Sequence, residues 1–311
     1  MKRTTLFLIS FLISLPFWWS VNYLQANLEE QFLVESLEKE PPAFFLAGIQ
    51  QQYSLQQERL KEAQCSHILA GNAIAALVDR DGKPEIIFQK NIDTIKPIAS
   101  ITKLMTALIA RDFLKPDQEV TISEKAVRQA DETGLLKAGD KILVADLMRM
   151  ALIESSNDAG FALAEAVEEQ NFVLAMNIKA QMLGMVNSYF FNPTGLDDTD
   201  KGLSGTNYST ARDLVVLAQS ILSEPEILEI LRQKQYSFYL NDVFHHELIT
   251  TNELLGEIPE IIGGKTGTTD LAGSCLLEIL KTKNPEKYLV AVVLNSPDRF
   301  SDMRALINCA R

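Results

Sequence analysis

The chain has 311 residues, 47% of them hydrophobic, so it can bury a large core and its length suits one globular domain with short additions. Its 29 basic residues are outnumbered by 41 acidic ones, which gives a formal net charge of −12. A nucleic-acid-binding surface needs a basic patch, so this balance argues against nucleic acid as a partner. The sequence has no glycine-rich phosphate loop, dinucleotide fingerprint or internal repeat, and no cofactor is expected.

The N-terminal segment, residues 1–26, places Lys2 and Arg3 before a strongly apolar stretch. This order is typical of a signal peptide or a short membrane anchor. Both alternatives stay open, because the stretch is near the lower limit for spanning a bilayer and Leu24-Gln25-Ala26 is an acceptable cleavage site. Acidic residues follow the segment, so the rest of the chain is expected outside the cytoplasm, with any membrane attachment made through this segment.

Residues 27–71 are rich in charged residues and glutamine, and they predict a helical spacer before a main domain at residues 72–311. The main domain is expected to open with a hairpin. Residues 73–78 and 86–88 are apolar, and the turn signal Asp81-Gly82 lies between them.

The next predicted element is a helix that begins near Ser100 and Lys103. Pro97 marks its entry, and apolar residues then recur at the three-and-four spacing of one helix face: Ile101, Leu104, Met105, Leu108 and Ile109. Residues three apart lie on the same side of a helix, so Ser100 and Lys103 can face each other. A serine hydroxyl needs a neighbouring base to become a nucleophile, and a lysine amine can serve if its pKa is depressed.

From this helix to about Leu255 the pattern predicts a mainly helical region with glycine, proline and asparagine at its breaks. It contains Ser155-Ser156-Asn157, which alone is equally consistent with capping or turn residues. It also contains His245-His246-Glu247. This cluster lacks a complementary ligand motif such as His-Glu-x-x-His, so a surface or structural role is expected and no metal site is assigned.

Extended patterning returns at the C-terminal end. Lys265-Thr266-Gly267 follows Ile261-Ile262-Gly263-Gly264, which predicts a strand with polar side chains and bare backbone for a ligand. Residues 274–280 and 288–295 predict two further strands, and residues 298–310 a closing helix. The two ends of the domain are therefore expected to build one antiparallel sheet, with a helical subdomain inserted between them and the active site in the cleft where the two parts meet.

The three cysteines, Cys65, Cys275 and Cys309, form no framework of paired spacings and no metal-ligand cluster. Cys275 lies in an apolar run and is expected to be a buried small hydrophobe. A Cys65–Cys309 pairing stays open if the domain is exported.

Ser-x-x-Lys, Ser-x-Asn and Lys-Thr-Gly in this order are typical of penicillin-recognising serine enzymes. The surrounding segments extend the likeness: Pro97 to Ala107, Ser155 to Ala159, Phe191 to Leu196, Ser209 to Leu214 and Gly263 to Gly267. From about Asn72 to Arg311 the chain resembles the low-molecular-mass D-alanyl-D-alanine carboxypeptidases, which are penicillin-binding proteins. The resemblance implies an α/β (α+β) fold of the β-lactamase/transpeptidase type. It also implies peptidoglycan stem peptides ending in D-Ala-D-Ala as substrate and β-lactam antibiotics as acylating inhibitors.

The same resemblance implies residue roles. Ser100 would attack the peptide carbonyl, Lys103 would accept its proton, and Ser155 would relay that proton to the leaving D-alanine. The residues implied to bind substrate are Asn157, Lys265, Thr266, Gly267, Thr268 and Arg299. Asn157 would hold the stem amide, Lys265 would supply positive charge, and Thr266 and Thr268 would bind the terminal carboxylate. The backbone N–H groups of Ser100 and Thr268 would form the oxyanion hole. For Arg299, a solvated surface role stays open beside a place near that carboxylate.

Three alternatives are kept beside the carboxypeptidase interpretation. A D,D-endopeptidase that cuts peptidoglycan cross-links would use the same residues. A β-lactamase is disfavoured because residues 191–198 lack the Glu-x-x-x-Asn pattern that positions a deacylating water in class A enzymes. A non-catalytic wall-binding module is disfavoured because every motif side chain needed for the chemistry is present.

Overall fold

The structure, a computed structural model, describes residues 19–25, 28, 52–53, 65, 67–129, 136–198, 205–241 and 243–311. The chain divides into two compact units, Met1–Glu62 and Ala63–Arg311. Residues 19–25 of the first unit are helical. Most of the predicted signal or anchor segment, and most of the predicted spacer, lies outside the described residues. Within the described ranges, no helix has both the length and the apolar character that crossing a membrane requires.

The second unit alternates strands and helices. In chain order the strands are β1 (Asn72–Val78), β2 (Glu85–Lys90), β3 (Lys96–Pro97), β4 (Glu119–Thr121), β5 (Lys141–Leu143), β6 (Tyr208–Ser209), β7 (Gln235–Leu240), β8 (Val243–Ile249), β9 (Ile261–Thr269), β10 (Gly273–Lys281) and β11 (Tyr288–Ser296). The helices are α1 (Thr102–Phe113), α2 (Glu124–Val127), α3 (Val144–Arg149), α4 (Asn157–Glu165), α5 (Glu169–Leu183), α6 (Ala211–Ile221), α7 (Pro225–Leu231) and α8 (Arg299–Ala310). A 3₁₀ turn covers Ala99–Ile101 and a π-helical turn covers Met150–Glu154.

The main sheet joins the two ends of the domain, as predicted. Its five strands run in the order β2-β1-β11-β10-β9, and every neighbouring pair is antiparallel. Strand β1 pairs with β11 in a register that runs from Asn72 opposite Leu294 to Val78 opposite Tyr288. The helices α1 to α7 lie in the sequence between β2 and β9. The predicted antiparallel sheet with an inserted helical subdomain is therefore confirmed.

Both faces of the sheet are buried, which explains why its central strands are apolar at successive positions. Ile74 and Val292 face a large core that includes α1, α4 and α6. Ala75 and Val293, one position further along, face a smaller core that includes Leu306 of the closing helix α8. Side chains alternate between the two faces of a strand, so two covered faces require apolar residues at both parities. The sheet thus holds the helical subdomain on one side and α8 on the other.

The predicted helical region contains one β-hairpin that sequence patterning did not identify. Strands β7 and β8 pair antiparallel, with Gln235 opposite Ile249 and Leu240 opposite Val243. In the hairpin Phe238 and Leu248 are buried while Tyr239 and Ile249 are exposed, the alternation expected of a half-buried hairpin. The prediction of a mainly helical region is therefore wrong over residues 235–249, because this short alternation lies between two helical patterns.

The second unit begins earlier than the predicted boundary at residue 72. Ile68 and Ala70 belong to the smaller core, and the Leu69 backbone N–H donates to Asp302 Oδ1 at 2.6 Å. Cys65 and Cys309 form a disulfide with a Cα–Cα distance of 5.4 Å. This pairing was an open alternative from sequence, and it ties the entry of the domain to the closing helix. Cys275 is free and buried, as expected.

Candidate active site

Ser100 and Lys103 meet at the start of α1. Ser100 lies in the 3₁₀ turn that leads into this helix, and Lys103 is in the first turn of the helix itself. The Nζ atom of Lys103 is 3.0 Å from Ser100 Oγ. This is the hydrogen-bond reach needed between a nucleophile and its base. The predicted facing of the two side chains is observed.

Two further acceptors orient the Lys103 amine. Nζ donates to Asn157 Oδ1 at 2.6 Å and to the Thr194 carbonyl at 2.8 Å. The Lys103 side chain is fully buried. Three fixed partners hold the amine in one place and so aim it at the Ser100 hydroxyl. Asn157, predicted as a substrate-binding residue, thereby also contacts the base.

Ser155 occupies a special backbone position between the π-helical turn and α4. Its φ is 70°, in the left-handed region that costs a non-glycine residue free energy. Ser156 caps α4 by accepting from the Ala159 N–H at 3.2 Å, and Asn157 is the first residue of that helix. The motif therefore joins two helical segments through one strained residue, and π-helical turns often occur at functional sites.

Strand β9 passes directly against the nucleophile turn. A Cβ atom on Gly267 would lie 2.9 Å from the Ser100 backbone nitrogen and 3.0 Å from the Ile98 carbonyl oxygen. Only a glycine permits this approach. The structure thus brings Gly267 and the adjoining Thr268 to Ser100, while their assigned roles in substrate binding and in the oxyanion hole stay predictions.

Strand β9 carries Lys265 to a place where the charges of Lys103 and Arg299 act on it. Lys265 is buried, and its Nζ donates to the Thr266 carbonyl at 3.2 Å. Burial lowers the pKa of Lys265 well below its ordinary value, and the charges of Lys103 and Arg299 lower it further. A bound anion would relieve this repulsion, so the arrangement favours a carboxylate ligand.

Arg299 lies at the start of α8 and reaches β9. Its Nη1 donates to Thr268 Oγ1 at 2.6 Å and to the Gly267 carbonyl at 3.1 Å. Burial lowers the pKa of this guanidinium. Thr266 contacts a residue outside the sequence motifs, since Thr251 Oγ1 is 2.5 Å from Thr266 Oγ1. Arg299 is therefore placed with the other candidate substrate-binding residues, and its role stays a prediction.

The sequence motifs do not include Asn207, which holds Thr102 and the Phe191–Leu196 loop in place. Asn207 is fully buried; its Oδ1 accepts from the Phe191 and Asn192 N–H groups at 2.6 and 3.1 Å. Its Nδ2 donates to Thr102 Oγ1 at 3.0 Å and to the Asn192 carbonyl at 2.8 Å. Phe191 to Leu196 resembles a family segment, but no sequence pattern around Asn207 indicates that its side chain holds this loop.

The same loop fits closely against the nucleophile turn. Gly195 has a φ of 87°, and a Cβ there would lie 2.0 Å from the Ala99 carbonyl oxygen. Thr106 of α1 donates from Oγ1 to the Pro193 carbonyl at 2.6 Å. The loop is thus fixed on both sides of Thr194, whose carbonyl accepts from Lys103.

The histidine pair lies on β8. His245 Nδ1 and His246 Nδ1 are 2.9 Å apart, and His246 Nε2 is 3.3 Å from Glu154 Oε2. Over the described ranges, no three His, Cys, Asp or Glu side chains are grouped so that they could hold a metal ion. The pair contacts the π-helical turn just before Ser155.

A serine beside a buried lysine, a second serine motif and a strand that carries another buried lysine define a serine acyl-transfer site of the penicillin-recognising class. The sequence matches the family model described as D-alanyl-D-alanine carboxypeptidase over residues 59–298. The chain therefore belongs to the D-alanyl-D-alanine carboxypeptidase family, as the resemblance implied.

Similar proteins agree with this membership. D-alanyl-D-alanine carboxypeptidase DacF of Bacillus subtilis (strain 168) is 33% identical over 233 residues, covering 72% of this chain and 57% of that protein. A D-alanyl-D-alanine endopeptidase of Pseudomonas aeruginosa is 33% identical over 246 residues, covering 75% of each chain. The crystal structure of penicillin-binding protein D2 from Listeria monocytogenes in the ampicillin-bound form superimposes with a TM-score of 0.64 at 29% identity, covering 78% of this chain and 98% of that one. The predicted β-lactamase/transpeptidase-like fold is confirmed. The chain spans little more than half the length of the Bacillus relative.

Proposed function

We propose that this protein is a serine-type D-Ala-D-Ala carboxypeptidase that removes the terminal D-alanine from peptidoglycan stem peptides. The observation that carries the proposal is the 3.0 Å distance between Lys103 Nζ and Ser100 Oγ beside a strand that holds Lys265. The first pair supplies a nucleophile and its base, and the lysine on β9 favours a substrate with a free carboxylate. Family membership supports the same substrate class.

The reaction proceeds through an acyl-enzyme on Ser100. Lys103 accepts the Ser100 hydroxyl proton as Oγ bonds to the carbonyl carbon of the penultimate D-alanine. The backbone N–H groups of Ser100 and Thr268 stabilise the oxyanion. When the C–N bond breaks, Ser155 passes a proton to the amine of the leaving D-alanine. Water then hydrolyses the ester and restores Ser100.

Binding residues fix the substrate for this attack. Asn157 holds the amide of the stem, while Thr266, Thr268 and Arg299 hydrogen-bond the terminal carboxylate. Lys265, which lies on β9, contributes positive charge. A carboxylate in this place stabilises the protonated form of Lys265, so substrate binding raises the depressed pKa of that lysine.

β-Lactam antibiotics would acylate Ser100 by the same route. Penicillin-binding protein D2 from Listeria monocytogenes, a structural neighbour at 29% identity, has been crystallised in ampicillin-bound and cefotaxime-bound forms. The likeness of the fold and the serine–lysine pair support the transfer of this property. A long-lived acyl-enzyme is expected, in contrast to the rapid turnover of a β-lactamase.

A D,D-endopeptidase is the second candidate. Two relatives carry that name, one from Pseudomonas aeruginosa that is 33% identical over 246 residues and one from Escherichia coli that is 30% identical over 226 residues. The two activities use the same groups and differ in whether the substrate is a monomer or a cross-linked dimer.

We place the catalytic unit on the extracytoplasmic face of the bacterial cytoplasmic membrane, or in the periplasm or medium if residues 1–26 are cleaved. The basic and then apolar order of these residues supports export. The Cys65–Cys309 disulfide supports an oxidising compartment.

Mass spectrometry of muropeptides tests the activity. Pentapeptide monomers and cross-linked dimers are incubated with the wild type, Ser100→Ala and Ser223→Ala, an exposed serine that serves as the matched control. The carboxypeptidase predicts loss of one D-alanine from monomers with the wild type and Ser223→Ala only. Conversion of dimers alone would favour the endopeptidase, and no conversion of either would refute both.

A further inference from the structure

Ser155 holds a strained conformation that its surroundings must fix. Its φ is 70°, and such residues persist only where several contacts over-determine them. The backbone before it forms a π-helical turn, and the N–H of Ser156, just after it, donates to the Met150 carbonyl at 3.1 Å. Ser155 is therefore sensitive to whatever holds Glu154, the last residue of that turn.

The hairpin of β7 and β8 holds the π-helical turn at two points. The Thr251 N–H, just beyond β8, donates to the Ile153 carbonyl at 3.2 Å. His246 of β8 places Nε2 3.3 Å from Glu154 Oε2. The side chains of His246 and Glu154 are only 14% and 10% exposed, so water competes weakly for this contact.

We propose that His246 is a positioning residue for Ser155 and that it acts through the Glu154 carboxylate. The proposal rests on the assignment of Ser155 as the proton relay. His246 keeps the π-helical turn in the form that presents Ser155, and it touches no reacting atom itself.

The His246 imidazole can hydrogen-bond the Glu154 carboxylate whether the ring is neutral or protonated. In the neutral form Nε2–H donates to the carboxylate, and Nδ1 accepts from His245 across the 2.9 Å gap between their Nδ1 atoms. In the charged form both ring nitrogens of His246 donate. Burial and the neighbouring His245 lower the pKa of His246, while Glu247 raises it. The contact with Glu154 therefore does not depend on a single charge state.

The hairpin also fixes the orientation of the ring. Phe238 of β7 lies edge-on to His246, with ring centroids 5.8 Å apart. Tyr236 anchors the same strand, since its hydroxyl donates to Asp146 Oδ1 at 3.3 Å and its ring lies 4.6 Å from the Arg149 guanidinium carbon. Asp146 and Arg149 belong to α3, which leads into the π-helical turn. The hairpin is therefore attached to the backbone on the N-terminal side of that turn as well as to Glu154 at its end.

The test compares three hairpin variants in the full chain. His246→Phe keeps the ring volume and removes the donor, His246→Gln keeps an N–H donor, and Val243→Ala changes an exposed residue on the same strand as a control. His246→Phe is expected to lower kcat and the rate of penicillin acylation about tenfold, with KM changed by less than about twofold. His246→Gln should recover most of the loss, and Val243→Ala should match the wild type. Equal rates for His246→Phe and Val243→Ala, or no recovery with glutamine, would overturn the proposal.

A double-mutant cycle covers the case in which His246→Phe does not fold. His246→Ala, which removes both ring nitrogens and adds no volume, is compared with Glu154→Gln and the double variant by the rate of penicillin acylation. Coupling of about fivefold or more between the two sites supports action through Glu154, and simple additivity refutes it. Because penicillin acylation needs no stem peptide, a failure to release D-alanine would remove the substrate assignment without deciding this result.

Discussion

Gly267 approaches Ser100 so closely that its missing side chain is part of the site. A Cβ on Gly267 would lie 2.9 Å from the Ser100 nitrogen and 3.0 Å from Ala99 Cβ. Because both neighbours are backbone or Cβ atoms, they can give way only if the nucleophile turn or β9 moves. The lack of a side chain at Gly267 therefore allows β9 to pack this closely against the nucleophile turn.

Gly267→Ala should lower the rate of penicillin acylation about tenfold or more, because a shift of a fraction of an ångström disturbs both nucleophile and oxyanion hole. The measurement is stopped-flow acylation with a fluorescent penicillin. Ser223→Ala is the control, since that side chain is exposed. An alanine at 267 that acylates at the wild-type rate would show that the contact is not limiting.

Asn207→Ala should cost about 2–3 kcal/mol of unfolding free energy. The change removes five hydrogen bonds of a fully buried side chain and leaves the N–H groups of Phe191 and Asn192 without their acceptor. It should also slow acylation, because the Phe191–Leu196 loop supplies the Thr194 carbonyl to Lys103. Urea unfolding and penicillin acylation measure the two effects.

Asn207→Asp is the informative companion variant. Aspartate keeps the acceptor for the two N–H groups and loses the donor to Thr102 and Asn192. The unfolding free energy of Asn207→Asp is expected to lie between those of the wild type and Asn207→Ala. If Asn207→Ala and Asn207→Asp lower the unfolding free energy equally, the stabilisation comes from the Nδ2 donor alone.

Glu278→Gln should stabilise the protein at pH 8. Glu278 is fully buried, and burial raises the pKa of its carboxyl well above the ordinary value, although a hydrogen bond from Asn252 opposes this shift. The native state therefore binds a proton that the unfolded chain releases above the ordinary glutamate pKa of 4.5. Wild-type stability falls as the pH rises from there toward the native pKa, and glutamine removes this contribution.

Urea unfolding of the wild type and of Glu278→Gln between pH 5 and 8 measures this difference in unfolding free energy. Glu257→Gln is the control, because Arg304 lowers the pKa of that exposed carboxyl; its contribution is lost only as the pH falls below the ordinary value of 4.5, so its difference from wild type should stay constant from pH 5 to 8. A difference between wild type and Glu278→Gln that stays constant with pH would contradict the assignment.

Replacing Cys65 and Cys309 by serine should lower the unfolding free energy by about 2–5 kcal/mol, since the disulfide closes a long loop in the unfolded chain. Denaturation with an alkylating agent but no reductant should label one thiol, that of Cys275, whose pKa burial raises to about 11 in the native state. Labelling of three thiols would show that the disulfide is absent.

Local patterns predicted the parts of the site that lie on single elements. The apolar spacing around Ser100 predicted α1, and the glycines beside Lys265 predicted β9. The supporting residues Asn207, Thr251 and His246 could not be found this way, because each acts on a segment far along the chain. The hairpin of β7 and β8 escaped for a related reason: its alternation is short, and only the packing of Phe238 and Leu248 into the core selects a hairpin there.

The order of strands in the main sheet has a consequence for synthesis. Strand β1 is made early but pairs with β11, and their contacts join residues such as Asn72 and Leu294. Closing so long a loop is slow and entropically costly, so the sheet can form only once β11 has been made. A chain interrupted after Ser100 and Ser155 have been made still lacks β9 and has no assembled site. The site therefore assembles late in synthesis, and Ser100 is left without its neighbouring strand until β9 has been made.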